Sequence, residues 1–422
     1  MRIAIPQTME RLGAVLINSV QKVYELDSGL DLNIPADDQG VVRQIPYDQL
    51  FAYEQEMAII VPLRNERLRL VEGVLCGIPN QCLTILVSNS QRSPVDRFAI
   101  ERDAFERFSK FTGKRITVIH QKDPILAEAC RAAGYAHILD EKTGLVKNGK
   151  AEGMILGTLL ARLSGRKYLG FIDADNYFPG AVLEYVHEYA AGFAMSKSRY
   201  AMIRIFWHSK PKIVQDSLFF ARWGRTSRQT NGHLNDLIAE YTGFETDIIQ
   251  TGNAGEHALT MDLAMLLDFS SGYSIEPFHF TNLFEKFGGL GGVPIQTDVV
   301  EEPVQIFQIE SRNPHMHDAE KGEEHIRSMT FAAMQVIYQS SICPKNLKKQ
   351  LLREMQEQEM VPKKQQPPKV ASYPALVNVD FPRFVKALEN HPNLQTLLEQ
   401  ASQPVRENGH VSKPRKVRAV SK

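Results

Sequence analysis

Several groupings of residues in this chain have the types and spacing to do chemistry. Asp173-Ala-Asp175-Asn176 follows directly on the apolar run Tyr168-Leu-Gly-Phe-Ile172. Two carboxylates at i and i+2 beyond a buried strand can hold Mg²⁺ or Mn²⁺, which take further oxygens from substrate phosphates. The same residues can equally cap a helix beginning near Pro179. Asn313-Pro-His315-Met-His317-Asp318 offers two imidazoles two residues apart, usable as metal ligands or as ordinary loop histidines. Thr251-Gly-Asn-Ala-Gly-Glu256-His257 is rich in small residues, which let a backbone approach a ligand closely. Glu256 and His257 are expected to enter a helix whose N-terminus favours an anion, the alternative being a plain turn with His257 packed inward. Lys122, Lys147, Lys150, Arg204, Lys210, Lys212, Arg222 and Arg225 lie in or near loops of the expected binding edge, either as a positive field for an anionic substrate or as solvated surface.

The elements that must position these groups can be read from periodicity. Met57–Pro62, Leu83–Val87, Arg115–His120 and Tyr168–Ile172 are short apolar runs, and each ends in a polar loop. Helical spacing joins them over about 63–75, 95–111, 125–133 and 150–164. Strands alternating with helices imply α/β architecture, a mostly parallel sheet flanked by helices, with ligands beyond the carboxyl ends of the strands. A further strand is expected at 200–207 and a helix at 323–339 burying Ile326, Met329, Met334 and Ile337. The expected organisation is an N-terminal extension over 1–50 packed on the core, a main domain over 51–345 with an acceptor-side subregion from about 181, and linker plus a short helical region over 346–403. A basic disordered tail is expected over 404–422.

The composition excludes several classes. With 49 Lys+Arg against 49 Asp+Glu the net charge is zero, which argues against a nucleic-acid partner. No apolar run reaches the roughly 18 residues of a membrane span, and the first 22 residues lack a signal-peptide core, so a cytoplasmic protein without a membrane partner is expected. The four cysteines show no Cys-x-x-Cys spacing, against a disulfide framework or zinc ribbon. The glycine-Lys-Ser/Thr phosphate loop, Gly-x-Ser-x-Gly, His-Glu-x-x-His and the dinucleotide glycine triplet are absent.

Read together, Pro62-Leu-Arg-Asn-Glu66, Val87-Ser-Asn-Ser90, His120-Gln-Lys-Asp-Pro124, Gly149-Lys-Ala-Glu-Gly-Met154, Gly170-Phe-Ile-Asp-Ala-Asp-Asn-Tyr177, Gly252-Asn-Ala-Gly-Glu-His257, Gly272-Tyr-Ser-Ile-Glu-Pro277 and Asn313-Pro-His-Met-His317 resemble the mannosyl-3-phosphoglycerate synthase family. The resemblance runs from about residue 10 to 345. Two places depart from it: Lys147-Asn-Gly-Lys150 stands where Arg-Ser-Gly-Lys is expected, and the Pro- and Lys-rich stretch after 345 looks unlike the family.

The resemblance implies a GT-A type (nucleotide-diphospho-sugar transferase) fold with C-terminal helical additions. It implies transfer of mannose from GDP-mannose to the 2-hydroxyl of 3-phospho-D-glycerate, with retention and a divalent metal, in the synthesis of the compatible solute mannosylglycerate. On that reading Asp175 and His317 ligate the metal. Asp173 contacts ribose, mannose or metal-bound water, and Glu256 gives electrostatic support or acts as nucleophile. Pro62, Leu63, Arg64, Asn65, Glu66, Ser88, Asn89, Gln121, Lys122 and Ala174 seat the nucleotide, while Lys150 and Arg131 contact anionic groups. A homodimer is an expected assembly. Two alternatives stand beside this: a non-catalytic nucleotide-sugar sensor on the same fold, and a sugar-phosphate nucleotidyltransferase, which releases diphosphate in place of GDP.

Overall fold

A computed structural model describes residues 1–26, 42–214, 217–221, 225–290, 294–316, 323–392 and 397. Strands β1 (Arg2–Ala4), β2 (Met9–Leu12), β3 (Val15–Glu25) and β4 (Val42–Gln44) precede helix α1 (Tyr47–Gln55). An alternating run follows: β5 (Met57–Leu63), α2 (Leu68–Gly77), β6 (Leu83–Ser88), α3 (Arg97–Thr112), β7 (Arg115–His120), α4 (Pro124–Ala132), α5 (Lys150–Leu163) and β8 (Tyr168–Phe171). Next come α6 (Pro179–Met195), β9 (Ala201–Trp207), the paired β10 (Lys210–Val214) and β11 (Ser217–Ala221), and α7 (Arg225–Thr242). The chain continues through β12 (His257–Thr260), α8 (Met261–Leu266), β13 (Phe269–Ser270), α9 (Ile275–Phe287), α10 (Thr297–Glu301) and β14 (Val304–Ser311). It closes with α11 (Glu323–Gln339), α12 (Lys345–Glu357), β15 (Ser372–Tyr373) and α13 (Phe381–Ala387).

Eleven strands make one sheet in the order β4-β1-β3-β14-β9-β12-β8-β5-β6-β7, with β2 alongside β3. Strands β8, β5, β6 and β7 run parallel, as do β9, β14 and β3. Strand β12 lies antiparallel between the two blocks, pairing His257 with Phe171 on one side and Arg204 on the other. The central strands are apolar without alternation because helices cover both faces. Ala58 and Ile60 enter one core, and Met57, Ile59, Val61 and Leu63 enter the other. These two cores hold the strand ends fixed, and the site stands on those ends.

Helix starts show local causes. The Asp96 carboxylate accepts from Ala99 N–H at 2.9 Å to open α3, and Asp123 accepts from Ile125 N–H at 2.8 Å to open α4, with Pro124 in its first turn.

Three expectations change. The helix expected at Glu256–His257 is instead strand β12: the opening between β8 and β9 is filled by pairing on both edges, which outweighs a local helix preference. Residues 1–26 and 42–44 extend the sheet itself, β3 running parallel to β14 from Val15↔Val304 to Lys22↔Glu310. Beyond residue 345, α12 buries Leu347, Leu351 and Met355, and β15 pairs with β13. Helix α11 has the expected bounds, yet Ile326 is exposed while Met334 and Ile337 are buried. The basic tail over 404–422 lies outside the described residues. No described helix is long and apolar enough to cross a membrane, and all four cysteines are free thiols.

Candidate active site

The carboxyl ends of β5, β6, β7 and β8 open on a cavity of about 1220 Å³. Pro62, Leu63, Arg64 and Glu66 come from the first end, Val87 and Asn89 from the second, Gln121 from the third, and Asp173, Ala174 and Asp175 from the fourth. Gly149, Lys150, Gly255, Glu256, Glu276 and His315 complete the inner wall. The cavity extends outward past Lys210, α7 and α11 to 358–360.

Asp173 and Asp175 stay together without capping a helix. Phe178 precedes α6 with no side-chain cap, and Pro179 takes the first turn. Asn176 instead donates from Nδ2 to Asp173 O at 2.9 Å and to Glu256 Oε1 at 2.8 Å, joining the aspartate loop to the glutamate. Asp173 Oδ1 lies 2.6 Å from Lys150 Nζ, and Glu276 Oε1 lies 2.8 Å from the same atom. Burial works against the Lys150 charge, but the two carboxylates hold its pKa well above the ordinary lysine value. Asp175 is 3% exposed and faces the cavity.

The 251–256 turn is held from below by Arg204, a fully buried side chain on β9. Its Nε and Nη2 donate to Thr251 O at 3.0 and 2.8 Å, and Nη2 reaches Gly252 O and Glu276 O, both at 3.3 Å. Phe280 lies beneath the guanidinium, 4.7 Å to the ring centroid. Burial lowers the Arg204 pKa to about 9. His257 packs inward, as the alternative reading had it, with Nδ1 2.9 Å from Gly255 O. Burial, then His279, Arg204 and Lys150, keep its pKa well below the usual value, so the ring is neutral.

The loop after β14 is anchored by Glu184 of α6, whose carboxylate accepts from Arg312 N–H at 2.5 Å, Asn313 N–H at 2.8 Å and Asn313 Nδ2 at 2.7 Å. His315 stacks on Trp207 with ring centroids 4.1 Å apart, and its Nδ1 lies 3.2 Å from Tyr185 OH and 4.0 Å from Glu256 Oε2. Lys210 Nζ sits 3.9 Å from the centroid of Trp207 and 3.4 Å from Ser227 Oγ. Burial lowers its pKa to about 8 against the opposing Glu256 charge. His317 lies outside the described residues. Tyr177 N–H donates to Met316 O at 3.0 Å, so the chain next to His317 runs beside the aspartate loop. Among the described residues no three His, Cys, Asp or Glu side chains form a ready metal cage.

Not every expected residue reaches the cavity wall. Arg131, on α4, pairs with Glu128 and donates to Gly144 O at 3.3 Å. Ser88 is buried and donates to Glu101 Oε2 at 2.7 Å. Asn65 shapes a turn at φ 62°, its N–H donating to Ser90 Oγ at 2.7 Å. Lys122 donates from its backbone to His120 Nδ1 at 3.1 Å, and its side chain is not on the wall. Lys147 Nζ turns away to His137 O at 2.9 Å. Glu276 and Trp207 are among the wall residues that had no expected role. Glu276 stood in the Gly272–Pro277 motif, and Trp207 looked only like the end of an apolar strand.

The profile of the mannosyl-3-phosphoglycerate synthase family matches residues 5–388. That span includes α12, β15 and α13, so the stretch after 345 is part of the family pattern after all. A mannosyl-3-phosphoglycerate synthase of Pyrococcus furiosus is 44% identical over 398 residues, covering 94% of this chain and 99% of the relative. One of Aeropyrum pernix is 35% identical over 376 residues, covering 88% and 93%. A crystal structure of mannosyl-3-phosphoglycerate synthase from Rubrobacter xylanophilus aligns at 14% identity and a TM-score of 0.43, covering 77% of this chain and 90% of that one. On the family profile and the two archaeal relatives, the chain belongs to the mannosyl-3-phosphoglycerate synthase family.

Proposed function

We propose that this chain transfers a mannosyl group from GDP-mannose to the 2-hydroxyl of 3-phospho-D-glycerate, with retention, releasing GDP. The observation that carries the reading is the convergence of Asp173, Asp175, Lys150 and Glu256 on one cavity beyond the strand ends. The inner wall presents carboxylates from Glu66, Asp173, Asp175, Glu256 and Glu276 against cations from Arg64 and Lys150, with Lys210 further out. Two anionic substrates cannot be gathered there without further positive charge.

Asp175, buried on the cavity wall, is the described carboxylate that would hold a divalent cation, with His317 as the second ligand the family resemblance implies; such an ion keeps waters and takes substrate oxygens, so one or two protein ligands suffice. When bound, it neutralises charge on the diphosphate leaving group. The protein's own groups do the rest. Arg64 and Lys150 face the anionic groups. Glu256, oriented by Asn176, supports positive charge at the anomeric carbon. Asn89 and Gln121 line the part of the cavity at the ends of β6 and β7, where a nucleoside would lie beyond the strand ends.

The test uses purified full-length chain with GDP-mannose, 3-phosphoglycerate and Mg²⁺ or Mn²⁺, following GDP release and product mass. Acceptor-dependent GDP release with a mannosyl-phosphoglycerate mass, lost with EDTA, is the expected result. Diphosphate release, or no transfer by folded protein that binds GDP, overturns the reading.

A further inference from the structure

We infer that Glu276 is a positioning residue for the transfer step, acting through Lys150: with Asp173 it takes two of the three N–H donors of the ammonium and sets the third toward the anionic group in the cavity. The inference rests on the function proposed above.

The geometry is specific. Lys150 Nζ is 2.6 Å from Asp173 Oδ1 and 2.8 Å from Glu276 Oε1. A protonated lysine carries three donors, so two charged acceptors at hydrogen-bond distance fix the direction of the third. The aspartate belongs to the chemical loop. The glutamate comes from the first turn of α9, 103 positions along the chain, and is 6% exposed. A flexible four-carbon lysine stem would otherwise follow whichever charge is nearest.

Both carriers of this ion pair are tied to one frame. Lys150 opens α5, whose Glu152 carboxylate accepts from Ser271 Oγ at 2.6 Å and from Tyr373 OH at 2.6 Å. Ser271 belongs to the turn that leads into Glu276, and that turn is closed by Ser274 Oγ donating to Ser271 O at 2.8 Å. Arg204 Nη2 donates to the Glu276 carbonyl at 3.3 Å from the opposite side. Glu276 is thus held at its backbone from outside the cavity, while its carboxylate reaches the cavity wall and holds Lys150. The position of Lys150 decides how the substrate's negative charge is met, and small displacements of such a group are costly.

A double-mutant cycle tests this, with Glu276→Ala, Glu276→Gln, Lys150→Met and both combinations, each checked for folding by thermal melting. Lys150→Met is expected to lower kcat on the order of 10²-fold, as loss of one charged donor does. Glu276→Ala is expected to lower it by about 10- to 100-fold and Glu276→Gln by less, since the amide oxygen still accepts from the ammonium. Because Glu276 acts through Lys150, each double variant should be no slower than Lys150→Met alone, within about 2-fold. Losses that multiply, or a folded Glu276→Ala with wild-type kcat, overturn the inference. If Glu276→Ala does not fold, the Glu276→Gln cycle decides in the same way. Wild-type protein that transfers nothing would refute the proposed function separately. The cycle is then read from GDP affinity by calorimetry, where multiplying losses again overturn the role given to Glu276 and non-multiplying ones support it.

Discussion

A methyl group on residue 255 would stand 2.7 Å from Asp173 Oδ2 and 3.4 Å from Lys150 Nζ. The first contact is closer than carbon and oxygen tolerate, so the Asp173 carboxylate must shift, which disturbs the geometry of its ion pair with Lys150. Gly255→Ala is therefore expected to lower kcat by about 100-fold, the cost of an ångström of misplacement at a reacting centre. Its melting temperature should stay within a few degrees of wild type, because the strain falls on a wall of the cavity and not on a core. Steady-state kinetics beside a thermal melt check this, and unchanged kcat would mean that Asp173 is free to relocate. At this scale the sequence was informative about part of the site. Asp173 and Asp175 drew notice because two carboxylates directly after an apolar strand can hold a cation or cap a helix, and the structure places both on the cavity wall with no side-chain cap on α6. Arg131 was misleading because a basic side chain on a helix says nothing about which way the helix faces, and it pairs with Glu128 on its own helix. Glu276 stood in the Gly272–Pro277 motif without a role, since its meaning depends on Lys150 meeting it across the fold.

Among the elements, α12 shows what periodicity conveys and what composition conceals. Lys345-Asn-Leu-Lys-Lys-Gln-Leu-Leu-Arg-Glu-Met-Gln-Glu357 buries Leu347, Leu351 and Met355, four residues apart, against the core beneath α7 and α11. Charged and amide residues fill all but one of the remaining positions, and Pro and Lys crowd the chain beyond, so this stretch resembles a linker although it is a packed helix. Leu351 is fully buried, so Leu351→Ala is expected to destabilise the protein by about 3 kcal/mol through lost transfer energy and an unfilled cavity. Urea unfolding measures this. Turnover well below the transition should match wild type, since α12 does not enter the inner wall, and a folded variant with a large kcat loss would contradict that separation. Strands β5, β6, β7 and β8 were legible because each is a short apolar run closed by a polar loop. Strand β12 was not. Its four residues form a strand only because β8 and β9 leave a place for them, and no four-residue window encodes that. The β3–β14 pairing joins residues nearly 290 positions apart and leaves no local trace either.

For the molecule as a whole, equal numbers of acidic and basic residues hide an uneven interior, and the pH dependence of stability exposes it. His257 and His279 are buried and neutral, the first with its pKa well below the usual value and the second lowered by burial to about 3. As pH falls below about 6.5 the unfolded chain protonates both rings while the native state refuses, so stability falls towards acid. Glu188, fully buried beside Glu184, has its pKa pushed well above the usual range by burial first and by that neighbour second. Native Glu188 therefore keeps its proton where the unfolded carboxyl ionises, above about pH 4.5, and stability falls as pH rises. Between pH 4.5 and 6.5 two histidines oppose one carboxyl, and each fully titrating group contributes about 1.4 kcal/mol per pH unit. Two minus one leaves a rise of about 1.4 kcal/mol per unit from the acid side, to which His120, its pKa lowered by burial, adds in the same direction and which Glu101, raised by burial, opposes. Glu188→Gln keeps the shape of the protonated acid and removes its titration, so its slope should steepen by about 1.4 kcal/mol per unit. Urea midpoints of wild type and variant across that window decide the matter. Parallel curves would mean that Glu188 is ionised in the native protein, and a flat wild-type curve would mean that the two buried rings accept protons without unfolding.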